Sequence, residues 1–156
     1  MEIERKFLVN KKVWEKLTKP EGIRIIHGYL STDPSKTIRV RIISDKAFMT
    51  IKGETKGISR EEVEFEIPIN KANELIEKFC NNVIEKTRFP IDFKGKTWEV
   101  DKFEGNNAGL LLAEIELNSE NEDFEVPSWI LTEVTSDYRY YNSYLSEHPY
   151  KKWSKE

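Results

Sequence analysis

Charged side chains recur two residues apart at five places along this chain. Glu2, Glu4 and Lys6 form the first set and Arg39 and Arg41 the second. Glu62, Glu64 and Glu66 form the third, Lys86 and Arg88 the fourth, Glu114 and Glu116 the fifth. Side chains two apart on a β-strand share a face, so each set lines one surface while Ile38, Val40 and Ile42, or Val63, Phe65 and Ile67, fill the other. A single Glu-x-Glu or Arg-x-Arg pair is ordinarily a solvated face. Here four of the five sets carry one sign only, and like charges at close range destabilise unless something neutralises them. Arginine and lysine on facing strands can clamp the oxygens of a polyanion, and paired carboxylates suit Mg²⁺ or Mn²⁺, which take oxygen ligands and share them with phosphate.

The elements that must carry these residues follow from the pattern of the chain. Alternation predicts strands over residues 2–9, Ile23–Ser31, Thr37–Ile43, Ala47–Lys52, Ile58–Ile67, Val83–Phe93, Thr97–Phe103 and Leu110–Leu117. Asn10 caps a short predicted helix over Lys11–Leu17, and a second begins at Asn70, with Ala72, Leu75, Ile76, Phe79 and Cys80 on its apolar stripe. Lys94-Gly95-Lys96 signals a tight hairpin, and Ser136-Asp137 precedes a third predicted helix over Tyr138–Leu145. The short connections favour antiparallel neighbours. The expected fold is therefore α+β and dominated by one antiparallel sheet. If the sheet closes on itself, the ionic face lines a tunnel, and the apolar face outside must be covered by the chain's own helices or by a second copy, with a homodimer the expectation.

Composition narrows the alternatives. With 156 residues the chain fits one domain, 1–156, with a substantial core. Charged residues make up 34% of it at a net charge of −3, which argues against a basic nucleic-acid binder. Cys80 is the single cysteine, and with His27 and His148 the only histidines there is no ligand set for structural zinc, so any metal is expected on oxygen. No signal peptide or membrane span is expected, and a cytoplasmic location is. Trp14, Trp98, Trp129 and Trp153 read as packing or interface residues.

The opening Glu2-Ile3-Glu4-Arg5-Lys6 resembles the E-x-E-x-K signature of the CYTH superfamily, the triphosphate tunnel metalloenzymes. The resemblance continues in order through Gly28-Tyr29-Leu30, Arg39-x-Arg41, Met49 to Lys52, Ser59-Arg60-x-Glu62-x-Glu64, Glu85 to Arg88, Val100-Asp101, Ala113 to Glu116, Glu133 to Thr135 and Arg139-Tyr140. It covers nearly the whole chain. What it implies is an eight-stranded antiparallel β-barrel, or tunnel, with a charged interior and a few flanking helices, triphosphate substrates, and dependence on Mg²⁺ or Mn²⁺. Carried over residue by residue, Glu2, Glu4, Glu114 and Glu116 resemble the metal-binding carboxylates. Lys6, Arg39, Arg41, Lys52, Lys86 and Arg88 resemble the phosphate-gripping cations, and Glu62 and Glu64 match acidic positions that hold a second metal or orient the attacking water. Asp101 sits where it can orient a clamp cation. The implied activity is metal-dependent hydrolysis of a triphosphate, with inorganic tripolyphosphate favoured because no base-recognition element is evident. A class IV adenylate cyclase, a thiamine triphosphatase and a non-catalytic polyphosphate binder are the competing expectations.

Overall fold

In the computed structural model, which describes residues 1–81 and 83–153, the chain forms ten strands and three α-helices joined by 3₁₀ turns. The last three residues of the expected 1–156 domain lie outside the described residues. In chain order the elements are β1 (Glu2–Val9), α1 (Lys11–Lys16), β2 (Ile23–Asp33), β3 (Lys36–Ile43), β4 (Lys46–Gly53), β5 (Ser59–Arg60) and β6 (Glu62–Ile67), then α2 (Ile69–Phe79), β7 (Val83–Phe93), β8 (Lys96–Phe103), β9 (Leu111–Glu116), β10 (Ile130–Glu133) and α3 (Asn142–Glu147).

All the strand pairings are antiparallel, in the order β10-β1-β9-β8-β7-β2-β3-β4-β6. Off this path, β5 leads into β6 and pairs with β1 at Glu2↔Arg60 and Ile3↔Ser59. The α+β class holds, with two corrections to the expected barrel. Ten strands are present rather than eight, and the sheet does not close: among the described residues β6 has no ladder to β10 or β1, and only the two-residue β5 reaches β1. The expected strand Ile58–Ile67 is the source of one difference: it breaks at Glu61, so its first part pairs with β1 and its second with β4.

Turn chemistry fixes the register. Lys94 and Gly95 both take positive φ, 50° and 80°, between the paired ends Phe93 and Lys96, the two-residue turn whose twist suits a hairpin. Pro90 falls inside β7, yet β2 pairs with β7 only as far as Arg88, so the proline sits where one side of its strand is free of ladder bonds.

The outer apolar face is covered mainly by the chain itself. α1 and the segment after β9 bring Trp14, Phe124 and Trp129 over Phe7, Trp98, Val100, Ala113 and Ile115. The rings of Phe7, Trp98, Phe124 and Trp129 meet at tilted and edge-on angles with centroids 5.4–6.3 Å apart. α2 lays Ala72, Leu75 and Ile76 across Val40, Ala47 and Met49. Gly28 permits that approach, since a Cβ there would stand 2.8 Å from the Cys80 sulfur. Two expectations about α2 fail. It starts at Ile69 with Pro68 as its cap residue, because proline's fixed φ suits the position before a first turn, and Phe79 is 64% exposed, its helix ending before that side reaches the sheet.

The tail differs most from expectation. Tyr138–Tyr140 is a 3₁₀ turn capped by Asp137, and the α-helix comes afterwards at Asn142–Glu147. Leu145 of α3 is fully buried against Ile84, Phe103, Leu110 and Leu112. By strand register Ile84, Phe103 and Leu112 project to the same side as Lys86, Asp101 and Glu114, so α3 stops one end of the sheet's interior with an apolar plug.

Trp98 is wholly buried at the centre of the outer aromatic cluster. Replacing it by Ala is expected to destabilise the fold by about 3–5 kcal/mol, read as a lower urea midpoint at an unchanged slope. A loss under about 1 kcal/mol would contradict this assignment of the core.

Candidate active site

The strand register sets the five ionic sets, and Asp101 with them, on the inner side of the sheet. Glu4 faces Glu116 and Lys6 faces Glu114 across β1 and β9. Arg88 faces Asp101 across β7 and β8, Arg39 faces Thr50 across β3 and β4, and Lys52 and Thr50 face Glu62 and Glu64 across β4 and β6. All of these facing residues but Asp101 line a cavity of about 330 Å³. Glu2, Glu4, Lys6, Arg39, Arg41, Lys52, Glu62, Glu64, Lys86, Arg88, Glu114 and Glu116 all contribute to its wall, so the structure gathers the whole expected set. Glu66, the third member of its triplet, lies outside this wall because β6 has by then run to the exposed edge.

The interior is neutralised in local pairs. Asp101, fully buried, accepts from Lys86 Nζ at 2.7 Å and from Arg88 Nε and Nη2 at 2.8 and 3.0 Å. Burial alone pushes its carboxyl up, but these two cations outweigh burial and hold it below the usual range. Glu114 stands 3.4 Å from Lys6 and 4.0 Å from Arg88, and despite burial they hold its carboxyl far below the usual value. Glu2 accepts twice from Lys52 at 2.9 Å. Glu64 accepts from Thr50 at 2.6 Å and Arg41 at 3.2 Å, and lies 3.8 Å from Arg39.

Two parts of the wall are left unmatched. The Nε–H groups of Arg39 and Arg41 are buried with no acceptor among the described residues. On the opposite side, the carboxylates of Glu4 and Glu116 make no hydrogen bond or ion pair to the described residues, although both line the cavity. Burial, then the nearby charge of Glu114, pushes the Glu4 carboxyl up to about 8. A buried carboxyl without a counter-ion fits a cation site, and the donors here are all oxygen. Among the described residues no three carboxylates converge closely enough to hold a metal unaided. That suits an ion which keeps waters and shares its shell with substrate phosphate rather than one caged by protein.

Several lining residues went unrecognised in the sequence. Thr50 and Glu99 were within reach of counting by twos, from Lys52 and Asp101 respectively. Glu99 pairs with Arg88 at 3.2 Å, and burial pushes its carboxyl up against that pairing. Tyr141, Asn142 and Ser143 come from the tail and carry no local signal, because only the docking of α3 brings them to the wall. Tyr29 also lines the cavity, while His27 is buried on the same side of the sheet with both ring nitrogens unpartnered.

Comparison with known proteins agrees with this geometry. The model of the CYTH domain matches residues 1–147. An inorganic triphosphatase of Acetivibrio thermocellus is 50% identical over 151 residues, 96% of each chain. One from Nitrosomonas europaea is 36% identical over 154 residues, spanning 93% of this chain and 96% of that one. The crystal structure of the inorganic triphosphatase NE1496 superposes with a TM-score of 0.66 at 34% identity, covering 94% of both chains.

The state of Glu4 is open to test. Its folded pKa of about 8 lies above the ordinary 4.5, so the folded protein retains a proton that the unfolded chain loses. Stability from this group is complete below pH about 4.5 and drains away as pH climbs to about 8. With chelator present, Glu4→Gln should melt with the wild type near pH 5 and several degrees above it beyond pH 8, the gap opening as pH rises between those values. Melting curves that stay parallel across this range would refute the assignment.

Proposed function

The chain belongs to the CYTH family, and from that premise we propose that it is a metal-dependent triphosphatase that hydrolyses inorganic tripolyphosphate to diphosphate and orthophosphate. The observation that carries this is the pair of unmatched walls. Buried arginine Nε–H donors on β3 lack an acceptor while two carboxylates of the wall, Glu4 on β1 and the more exposed Glu116 on β9, lack a cation among the described residues, and a triphosphate with its divalent ion supplies both at once. The lining is dominated by cations and carboxylates, with Tyr29 and Tyr141 as its aromatic rings, and cations that read phosphate charge without specifying a base favour the inorganic substrate.

Glu4 and Glu116 would hold the ion, Mg²⁺ or Mn²⁺, joined by Glu2 and Glu114 as Lys52 and Lys6 turn to phosphate. When bound, the ion would offset charge on the phosphate oxygens. Arg39, Arg41, Lys86 and Arg88 grip the chain of phosphates and neutralise the charge that grows as the terminal P–O bond breaks. Glu64 already accepts from Thr50 and Arg41 on its Oε2, which makes it a support for the arginines. Glu62 is the better candidate for orienting the attacking water. Burial, then Glu2, pushes its carboxyl up, towards the range in which a carboxylate accepts a proton usefully. The water's oxygen bonds to the terminal phosphorus and diphosphate leaves. No helix among the described residues is long and apolar enough to cross a membrane, and we take the enzyme to act in the cytoplasm as one domain, with a homodimer the arrangement that would cover its remaining exposed apolar side chains, Val63 and Phe65 among them.

Orthophosphate release should be measured from tripolyphosphate, ATP and pyrophosphate in parallel, each with Mg²⁺, Mn²⁺ or EDTA, with a check for cyclic AMP. The expected result is rapid release from tripolyphosphate, abolished by EDTA and small from pyrophosphate. Glu116→Ala should remove metal-dependent turnover. Cyclic AMP without orthophosphate would move the protein to the cyclases, and full activity in the Glu116 variant would overturn the metal assignment.

A further inference from the structure

Lys86 is the least exposed cation of the cavity wall, at 1%, and its ammonium has three N–H donors to place. One goes to Asp101 at 2.7 Å. A second goes to the side-chain carbonyl of Asn142 at 3.3 Å. The ring of Phe103 lies 5.5 Å from the nitrogen and offers no acceptor beyond its face. The third N–H therefore has no partner among the described residues, and the cavity that Lys86 lines is the space left to it. Asn142 reaches this position from another part of the chain. It opens α3, is itself 9% exposed, and is set in place by Leu145 three residues later, which is buried in the plug against Ile84, Phe103 and Leu112.

We infer that Asn142 is a positioning residue for the hydrolysis proposed above, holding the Lys86 nitrogen in place together with Asp101 so that its remaining N–H points at the bound triphosphate. The inference rests on that proposed function and extends it to the C-terminal segment, which thereby supplies part of the site as well as its floor. Without the amide, Asp101 alone holds the ammonium, and the flexible stem of Lys86 is then free to draw the nitrogen towards Asp101 and away from the substrate. Five other ionisable groups act on Lys86: Asp101 and Glu99 from β8, Arg88 from its own strand, Glu114 from β9 and His27 from β2. Burial pulls its pKa down to about 8 against the pull of Asp101, so the loss or gain of one further partner is readable as a titration shift.

The test compares Asn142→Leu, close in size but without an acceptor, with Asn142→Asp, which keeps an oxygen at that place. The Leu variant should lose about ten- to a hundred-fold in kcat for tripolyphosphate, the worth of a hydrogen bond to a charged group, with a melting temperature near that of the wild type. The Asp variant should recover most of kcat while raising KM, since it adds a negative charge beside the substrate. In parallel, NMR titration of Lys86, assigned by its absence in Lys86→Arg, should move down in the Leu variant and up in the Asp variant. An unaltered kcat in Asn142→Leu, or titrations that move the same way in both variants, would overturn the inference alone. A wild-type protein whose Lys86 titration responds as expected but which hydrolyses no triphosphate would instead overturn the triphosphatase function, and the inference with it.

Discussion

A charge buried in a protein interior costs several kcal/mol unless a partner of opposite sign lies within hydrogen-bonding reach, and this constraint organises the inside of the sheet. Asp101 shows how it is met. It is inaccessible to water, yet it sits between Lys86 and Arg88, each of which would be as costly to bury alone. The same logic repeats at Lys6 with Glu114, at Lys52 with Glu2, and at Arg41 with Glu64. Each pair joins two different strands, so the ion network also ties β1 to β9 and β4, β7 to β8, and β3 to β6.

A sheet with an ionic inner face must turn its apolar face outward, which inverts the usual arrangement and explains the placement of the helices. α1 and the segment leading to β10 cover one part of the outer surface, and α2 covers another. α3 does something different: it enters the inner side, where Leu145 meets the few apolar residues of that face. The interior is thus ionic at its middle and apolar at one end. A ligand drawn in by the cations meets a floor there, and the residues that hold this floor are next to those that meet the ligand.

Much of this was legible in the sequence because strand periodicity is a strict code. Counting by twos from Glu2, Arg39, Lys86 and Glu114 assigned their faces, and the described structure brings those residues to one cavity. What the period does not encode is where a strand changes partner. Glu61 interrupts an alternating run that reads as one strand, and only the competing demands of β1 and β4 divide it. β10 was missed for a related reason: four residues paired to β1 across a register shift leave too short a pattern to recognise. Phe79 fits the helical stripe by spacing but not by depth, since the helix ends before the sheet reaches it. Asn142 lies beyond any periodic signal, because its role depends on a contact with Lys86 across 56 positions.

The pairing of charges without ligand also bears on how binding proceeds. Were the cations bare, a triphosphate would gain their full attraction, but the folded protein would first have to bear their burial. Here the cations are already desolvated and partnered, so under the proposed function binding would exchange one anionic partner for another: Glu2 and Glu114 would give way to phosphate oxygens at Lys52 and Lys6. The released carboxylates would then lack counter-ions in a low-dielectric space, and a divalent cation would restore the balance. Each half of the exchange makes the other less costly, which couples anion and metal even though no residue serves both. Asp101 stands outside this exchange. Fixed to Lys86 and Arg88 by three hydrogen bonds and sealed from water, it keeps two of the cations in place while the rest of the wall changes partners.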